Sequence, residues 1–327
     1  MYINSMDAYI ISLTNPKLLI DQISEYDLNP ILIKGVDGSK LDYDEIKENT
    51  TTICSAICPK SVIGIAMSHI KIWELFLRSG KKNALVLEDD VVFTKNFKKD
   101  LENCIENVPS DYDVLYLGCF GCSTNFNLYT FAAFNTNQLN LNAKKINKYI
   151  NKPLYVGATH AYIITPSGAK KLLHHLKHKI STHLDIQINQ LIRDNYINVF
   201  SLNKRIVYQT STDSTLSTNV ASNHPYIINS ILSNYYVDTK VKLSYLSTVS
   251  FIRIGNFNLT FFSVMFIILG IILSASDVDI YKITYVYIFL SIPDIYIDHK
   301  NIVIIIHYFT LIIPYLLLKY SNVWDNI

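Results

Sequence analysis

The sequence predicts an α/β domain followed by a hydrophobic, helical C-terminal region, and three observations predict it. Residues 1–235 alternate short apolar, β-branched runs with stretches of helical apolar spacing, the pattern of a mainly parallel sheet with helices between its strands. One of these runs, Ala84 to Leu87, has no polar alternation and ends in three consecutive carboxylates, Glu88, Asp89 and Asp90. From Ile254 to Ser276 the chain carries no charged residue at all.

The first strand is expected over Ala8 to Leu13, closed by a turn at Asn15-Pro16, with a helix over about 16–26 and a second strand in "PILIKGVDG" ended by Asp37-Gly38. A helix follows from Gly64 to Ser79. Its apolar residues Ala66, Ile70, Trp73 and Leu77 share one face, and Gly80 supplies the stop. After the strand at Ala84 come a helix near 95–107 and a buried strand in "YDVLYLG". Residues 120–150, rich in Asn, Thr and Lys, read as an excursion. Order returns with the strand "YVGATHAYIIT", then a helix with Thr165 as N-cap and Pro166 at its first position, then "THLDIQINQLI", the strand "INVFSL" and a polar stretch "QTSTDSTLS".

The acid triplet carries the functional signal. In open α/β sheets ligands bind at the carboxyl ends of the strands, where this triplet falls. Val91, Val92 and Phe93 return the chain at once to apolar surroundings, so at least one carboxylate is expected to be half-buried, where an unpaired charge is costly. A hard cation with oxygen ligands, Mg²⁺ or Mn²⁺, would remove that cost; the alternative is a solvated turn.

Composition excludes other classes. With 29 basic and 27 acidic residues, net +2, and no basic stripe interleaved with aromatics, nucleic-acid binding is not expected. Only Arg78, Arg193, Arg205 and Arg253 are arginines. Five cysteines (54, 58, 104, 119, 122) read as free thiols, since "CSAIC" and "CFGC" lie far apart without a histidine pattern for zinc. His174, His175, His178 and His183 read as an exposed helix end rather than a metal cluster, and His160 is left open between core and pocket.

The hydrophobic tail predicts multi-pass membrane attachment. "LTFFSVMFIILGIILSA" is the stronger candidate span and "IVIIIHYFTLIIPYLLL", interrupted by His307 and Pro314, the weaker; two spans are preferred and three are the alternative. The expected boundaries are 1–235 for the catalytic domain, 236–253 for a juxtamembrane linker and 254–320 for the membrane region. Without an N-terminal signal, and with Lys240, Lys242, Arg253 and Lys319 flanking the spans, the catalytic domain is expected to be cytoplasmic. Occupied sequons at Asn49-Thr50-Thr51 or Asn258-Leu259-Thr260 would reverse that orientation.

Taken in order, several motifs resemble glycosyltransferase family 25. They are a first strand ending in Ser12-Leu13, the turn Val36-Asp37-Gly38, Gly64 with Ser68 and His69 in "GIAMSHIKIW", "VLEDDVVF", "GATHAYIITPSGAKKLL", and Leu184-Asp185 before an apolar helix. The likeness covers about residues 7–215. Two places depart from it: Asn15-Pro16-Lys17 replaces an Arg-rich turn, and Val62 and Ala66 stand where the family usually has Glu and Cys.

The resemblance implies a GT-A fold, a Rossmann-like nucleotide-sugar domain, and inverting transfer of a hexose, galactose or glucose, from a UDP-sugar with Mn²⁺ or Mg²⁺. It implies metal contacts from Asp90 and Asp89, and donor contacts from Asp37, Gly38, Ser68, His69, Glu88 and Asp89, with Glu88 on the ribose. Asp185 becomes the candidate base for an acceptor hydroxyl, its alternative being a helix cap. For His69 the apolar helix face favours a hydrogen-bonded structural histidine over a donor contact. The implied acceptor is a glycan, glycolipid or glycoprotein at the membrane. The alternative functions are a catalytically inactive relative serving as a membrane scaffold or glycan-binding protein, and a nucleotidyltransferase, which the lack of a Gly-rich loop after the first strand disfavours.

Overall fold

The computed structural model describes residues 6–120, 122, 143–209, 225–235, 243–244, 249–255, 257–297 and 302–321. Asp213 and Ser214 of the polar stretch "QTSTDSTLS", and most of the expected linker and excursion, lie outside the described residues. The chain divides into two compact units, one of residues 1–214 with 238–240, the other of 215–237 with 241–327.

The first unit is α/β. In chain order it contains β1 (Asp7–Ser12), α1 (Lys17–Glu25), β2 (Asn29–Lys34), α2 (Tyr43–Asn49), α3 (Thr52–Ile57), α4 (Lys60–Ser79), β3 (Ala84–Glu88), β4 (Val91–Phe93) and α5 (Phe97–Asn107). Then come β5 (Val114–Phe120), β6 (Lys144–Lys145), β7 (Ile150–Lys152), β8 (Gly157–Ile164), α6 (Pro166–Leu176), α7 (Leu184–Arg193), β9 (Val199–Leu202) and β10 (Val207–Gln209). The main sheet has the order β2-β1-β3-β8-β5-β9-β7-β6.

Its strands β2, β1 and β3 are parallel, as are β5 and β9, but β8 enters antiparallel between β3 and β5, and β7 lies antiparallel to β9. The sheet is therefore mixed rather than mainly parallel. The cause is the path of the chain: β5 follows β3 through α5, and β8 then fills the gap between them. A buried apolar run such as Ala84 to Leu87 fits either direction, because both of its faces are covered.

Strand alternation sorts the core into two layers. Ala84 and Val86 of β3 join Trp73, Phe76 and Ile63 of α4, whereas Leu85 and Leu87 join Ile23 of α1 and Phe97 and Leu101 of α5. Each layer buries large side chains completely, Trp73 and Phe76 on one side, Phe97 and Leu101 on the other. Burying such residues contributes roughly 1.5–3 kcal/mol each. Between the layers, the chain moves from β1 outward to β2 and then back across to β3. The strand order thus reverses at β1, and the crevice beyond the carboxyl ends of β1 and β3 is the topological switch point.

The second unit contains α8 (Tyr226–Leu232), the hairpin β11 (Ser250–Ile254) with β12 (Phe257–Thr260), and the apolar helices α9 (Phe261–Ala275), α10 (Ile280–Ile297) and α11 (Ile302–Tyr320). Here the expectation of two full spans is corrected. The stronger run is cut short because residues up to 260 form the hairpin, and Thr260 caps α9 through a reciprocal Thr260–Ser263 capping box. Fifteen residues rise about 22 Å, short of a hydrocarbon core of roughly 30 Å. Helix α10 carries Lys282, Asp294 and Pro293. Among the described residues one helix, α11 with 19 residues, is long and apolar enough to cross a membrane. Its polar interruption, His307, is buried and meets Ser263 Oγ at 3.2 Å.

The cysteines differ from expectation as well. Cys54 pairs with Cys58 and Cys119 with Cys122, and Cys104 is the free, buried cysteine. One helical turn brings the first pair to a Cα separation of 4.7 Å and the end of β5 brings the second to 5.9 Å, both within disulfide range. Sequence spacing excluded shared zinc but not these local pairings.

Candidate active site at the carboxyl ends of β1 and β3

The three acids fan out in different directions. Glu88 ends β3 on the α4 side, where its Oε1 accepts from Thr159 Oγ1 at 2.9 Å. Asp89 turns to the opposite side, and its Oδ2 accepts the hydroxyl of Ser12, the last residue of β1. Ser12 is itself fixed by the Thr14 backbone N–H, 3.0 Å from its Oγ. Asp90 precedes β4, and its Oδ2 accepts from Gln209 Nε2 at 2.9 Å. That contact arises because β10 pairs antiparallel with β4, with Gln209 opposite Val91.

Beside Asp89 lies an open cleft of about 470 Å³, lined by Asn15, Pro16, Lys17, Gln22 and Val91 among others. Its floor is the start of α1. Pro16 caps that helix without a side-chain hydrogen bond and the Lys17 N–H is taken by Asn15 O at 2.9 Å, so the positive end of the helix and the Lys17 side chain supply the potential there. A carboxylate facing a helix N-terminus across a cleft is a setting for an anion bridged by a cation.

The electrostatics separate the acids. Burial alone would raise Glu88, but the His69 and Thr159 hydrogen bonds and the neighbouring His160 outweigh it and hold its carboxyl below the usual range. Asp90 is pushed well above that range, first by burial and then by the charges of Glu88 and Asp89, against the Gln209 hydrogen bond. A group of three or more His, Cys, Asp or Glu side chains placed to hold a metal does not occur among the described residues. What the turn offers is two neighbouring carboxylates, Asp89 and Asp90. Mg²⁺ and Mn²⁺ are commonly held by one or two carboxylates when a phosphate and waters complete the shell, and a cation would offset the charge that Asp90 resists. Carboxylates are the ligand type such an ion takes, and each of these two also has a hydrogen-bond partner, Ser12 for Asp89 and Gln209 for Asp90.

On the α4 side His69 is fully buried, with Nδ1 2.9 Å from Tyr162 Oη and Nε2 3.5 Å from Glu88 Oε1. The Tyr162 hydroxyl also accepts from Trp73 Nε1 at 2.8 Å. Tyr116, opposite Tyr162 in the sheet, is buried; burial raises its phenol first, and the charges of Asp185 and Glu88 raise it further. Asp185 lies in the first turn of α7, whose N-cap is His183. Its Oδ1 accepts from Ile186 N at 2.8 Å and its Oδ2 from Ala158 N at 3.1 Å. Asn189, one turn on, accepts from Val156 N at 2.8 Å and donates to Val156 O at 2.7 Å. Together Asp185 and Asn189 clamp the start of β8 and set Thr159 against Glu88.

The remaining motif residues build the frame. Ser68 Oγ accepts from Val36 N at 2.8 Å and donates to Gly64 O at 2.7 Å. Gly64 lets α4 press on the turn, since a Cβ there would lie 2.6 Å from Val36 O and 2.9 Å from Gly38 N. Gly38 is equally close to the backbone of Lys60 and Ser61. Asp37 caps the short 3-10 turn through Ser39 N at 3.0 Å and pairs with Lys40 at 3.3 Å. Glu88, Asp89, Asp90 and His69 are thus gathered at the strand ends, while Asp37, Gly38 and Ser68 hold the β2–α4 connection. Sequence reasoning quoted the stretches that hold Ser12, Gln209, Tyr162 and Asn189 but assigned none of the four a role in the site.

Fold and cleft define an α/β protein with a candidate site at the carboxyl ends of its central strands. The chain belongs to glycosyltransferase family 25: residues 6–192 match Glycosyltransferase family 25 (LPS biosynthesis protein). Over 105 residues it is 33% identical to the Homo sapiens protein Inactive glycosyltransferase 25 family member 3, covering 31% of this chain and 16% of that one. Over 62 residues it is 37% identical to Procollagen galactosyltransferase 1 of Danio rerio, covering 18% of this chain and 10% of that one. The matched stretches thus span less than a fifth of either relative's length. Among solved structures it resembles A197 from STIV at 13% identity and a TM-score of 0.34, over 63% of this chain and 85% of that one, a likeness that supports no functional statement.

Proposed function

We propose that this protein is a membrane-associated glycosyltransferase of GT-A type, moving a hexose with inversion from a UDP-sugar to a glycan, glycolipid or protein acceptor. The observation that carries the reading is the position of Asp89, which reaches from the acid turn to the rim of a cleft floored by the N-terminus of α1. The donor diphosphate lies in that cleft, where the Lys17 side chain and the positive end of α1 offset its charge, taking the place of the family's Arg-rich turn. Asp89 and Asp90 would hold Mn²⁺ or Mg²⁺, and the ion would supply Lewis-acid stabilisation of the leaving diphosphate. Glu88, held ionised, receives donor hydroxyls. Asp185 accepts the proton of the acceptor hydroxyl as that oxygen attacks the anomeric carbon from the face opposite the leaving group. Helix α11 attaches the chain to a membrane.

Titrating the full chain with UDP, with and without Mn²⁺, tests this reading. It predicts metal-dependent binding that Asp89→Ala and Lys17→Ala both weaken. UDP binding as strong in both variants as in the unsubstituted chain would exclude this cleft.

The family also includes proteins named inactive, and one observation favours an idle relative: Asp185 already spends both carboxylate oxygens on backbone N–H groups. UDP binding without turnover on any donor would select that second reading.

A further inference from the structure

The buried polar chain behind Glu88 has no part in the chemistry above. It runs from Trp73 through Tyr162 and His69 to Glu88, on three elements, α4, β8 and β3, and its members are fully or almost fully buried up to the carboxylate. Hydrogen-bonding capacity fixes its direction. The Trp73 indole N–H can only donate, so at 2.8 Å the Tyr162 oxygen is its acceptor. The phenol then has one proton to place. Among the described residues its other partner is His69 Nδ1 at 2.9 Å. If Nδ1 carried a proton, the buried Tyr162 O–H would have no acceptor, and a buried donor left unsatisfied is costly. With Nδ1 as acceptor all three groups are satisfied, and neutral His69 carries its proton on Nε2.

That proton faces Glu88. Nε2 is buried and stands 3.5 Å from Glu88 Oε1, a long contact at the edge of hydrogen-bond length. Hydrogen bonds of this kind are often long in unliganded proteins and tighten when substrate arrives. The other Glu88 partner, Thr159 Oγ1 at 2.9 Å, comes from the same strand as Tyr162.

We propose that His69 is a positioning residue: Trp73 and Tyr162 lock it in the Nε2–H tautomer, and it holds the Glu88 carboxylate in the orientation that receives the donor. The inference rests on the donor-site reading of Glu88. It moves His69 from the ligand to the layer behind it, and makes Tyr162 and Trp73 determinants of donor affinity although neither contacts the donor.

The test uses the full chain labelled with [¹⁵N]histidine, alongside UDP titration in Mn²⁺. His69→Gln identifies the His69 ring signals by their loss. The expected pattern is a neutral Nε2–H imidazole, converted to a mixture of tautomers by Tyr162→Phe. In titration, His69→Leu should weaken UDP binding roughly ten- to a hundredfold, the scale of a hydrogen bond to a charged group. His69→Gln, whose amide N–H reaches toward Glu88, should recover most of it, and Tyr162→Phe should fall between. Thermal unfolding of each variant separates loss of fold from loss of position. An Nδ1–H tautomer, or UDP affinities unchanged across folded variants, would overturn the positioning role alone. A wild-type chain that shows the Nε2–H tautomer but binds no UDP would overturn the donor-site reading, and the proposal with it.

Discussion

Gln209 Nε2 donates to Asp90 Oδ2 at 2.9 Å across the β4–β10 pair, so the last acid of the turn is held by a neutral amide from a strand 119 residues away. Burial and the charges of Glu88 and Asp89 all oppose ionisation of that acid. Asp90→Asn should therefore raise the melting temperature of the metal-free chain, by roughly 2–4 °C for each kcal/mol relieved. Mn²⁺ should raise the melting temperature of the wild type but not of this variant. Equal Mn²⁺ responses in the two would remove Asp90 from the ion's shell.

Gly64 and Gly38 face each other where α4 meets the β2 turn, with backbone atoms in the space a Cβ would take. Gly64→Ala should cost about 1–3 kcal/mol, because backbone must move rather than a flexible side chain. Gly80→Ala is a useful contrast. Gly80 ends α4 with φ +68° and open space around it, so its cost is that of left-handed backbone alone, about 1 kcal/mol. Denaturant unfolding should rank Gly64→Ala as the more damaging; the reverse order would contradict the packing described.

Burial pushes the Cys104 thiol up to about 12, and Asp100 adds to the shift. The folded state thus holds this proton more tightly than the unfolded chain, whose thiol titrates near 9.0. The resulting stability is complete below about pH 9 and is lost as pH rises through about 12. At pH 8.5 native protein should resist alkylation at Cys104. Unfolded without reductant it should expose one thiol, and five after reduction. Five reactive thiols without reductant would contradict both pairings, and would suit a cytosolic setting better than the paired form does.

Ala158 has φ +65°, left-handed for a residue with a side chain, and Asp185 holds its N–H. Ala158→Gly should be neutral or stabilising by up to about 1 kcal/mol, whereas Ala→Gly usually destabilises. Asp185→Ala should release the start of β8 and loosen Thr159 from Glu88. Chemical denaturation of both variants checks the clamp: a clear loss in Ala158→Gly would show that this backbone is unstrained.

How much of this was legible in the sequence depended on the range of each interaction. The α6 start was readable because its cap is local: Thr165 Oγ1 accepts from Gly168 N at 3.1 Å, with Pro166 next to it. The acid turn was readable because an apolar run ending in carboxylates is a local signal. Strand β10, three residues long, exists only through its pairing with β4, and Gln209 came with it unseen. The direction of β8 was equally hidden, since a run buried on both faces does not encode its neighbour's sense. His69 and Tyr162 lie 93 residues apart, and nothing at either position announces the other. In the tail, composition located the apolar helices, but a capping box at Thr260 shortened the first below a span.

The most direct measurement of the central claim is UDP release by the full chain from a panel of UDP-sugars, with and without Mn²⁺, beside Asp90→Ala. The acid turn as a donor site predicts release from one donor, dependent on metal and reduced at least about a hundredfold in the variant. Release unaffected by Asp90→Ala, or none from any donor by folded wild-type protein, would contradict a catalytic role for Glu88, Asp89 and Asp90.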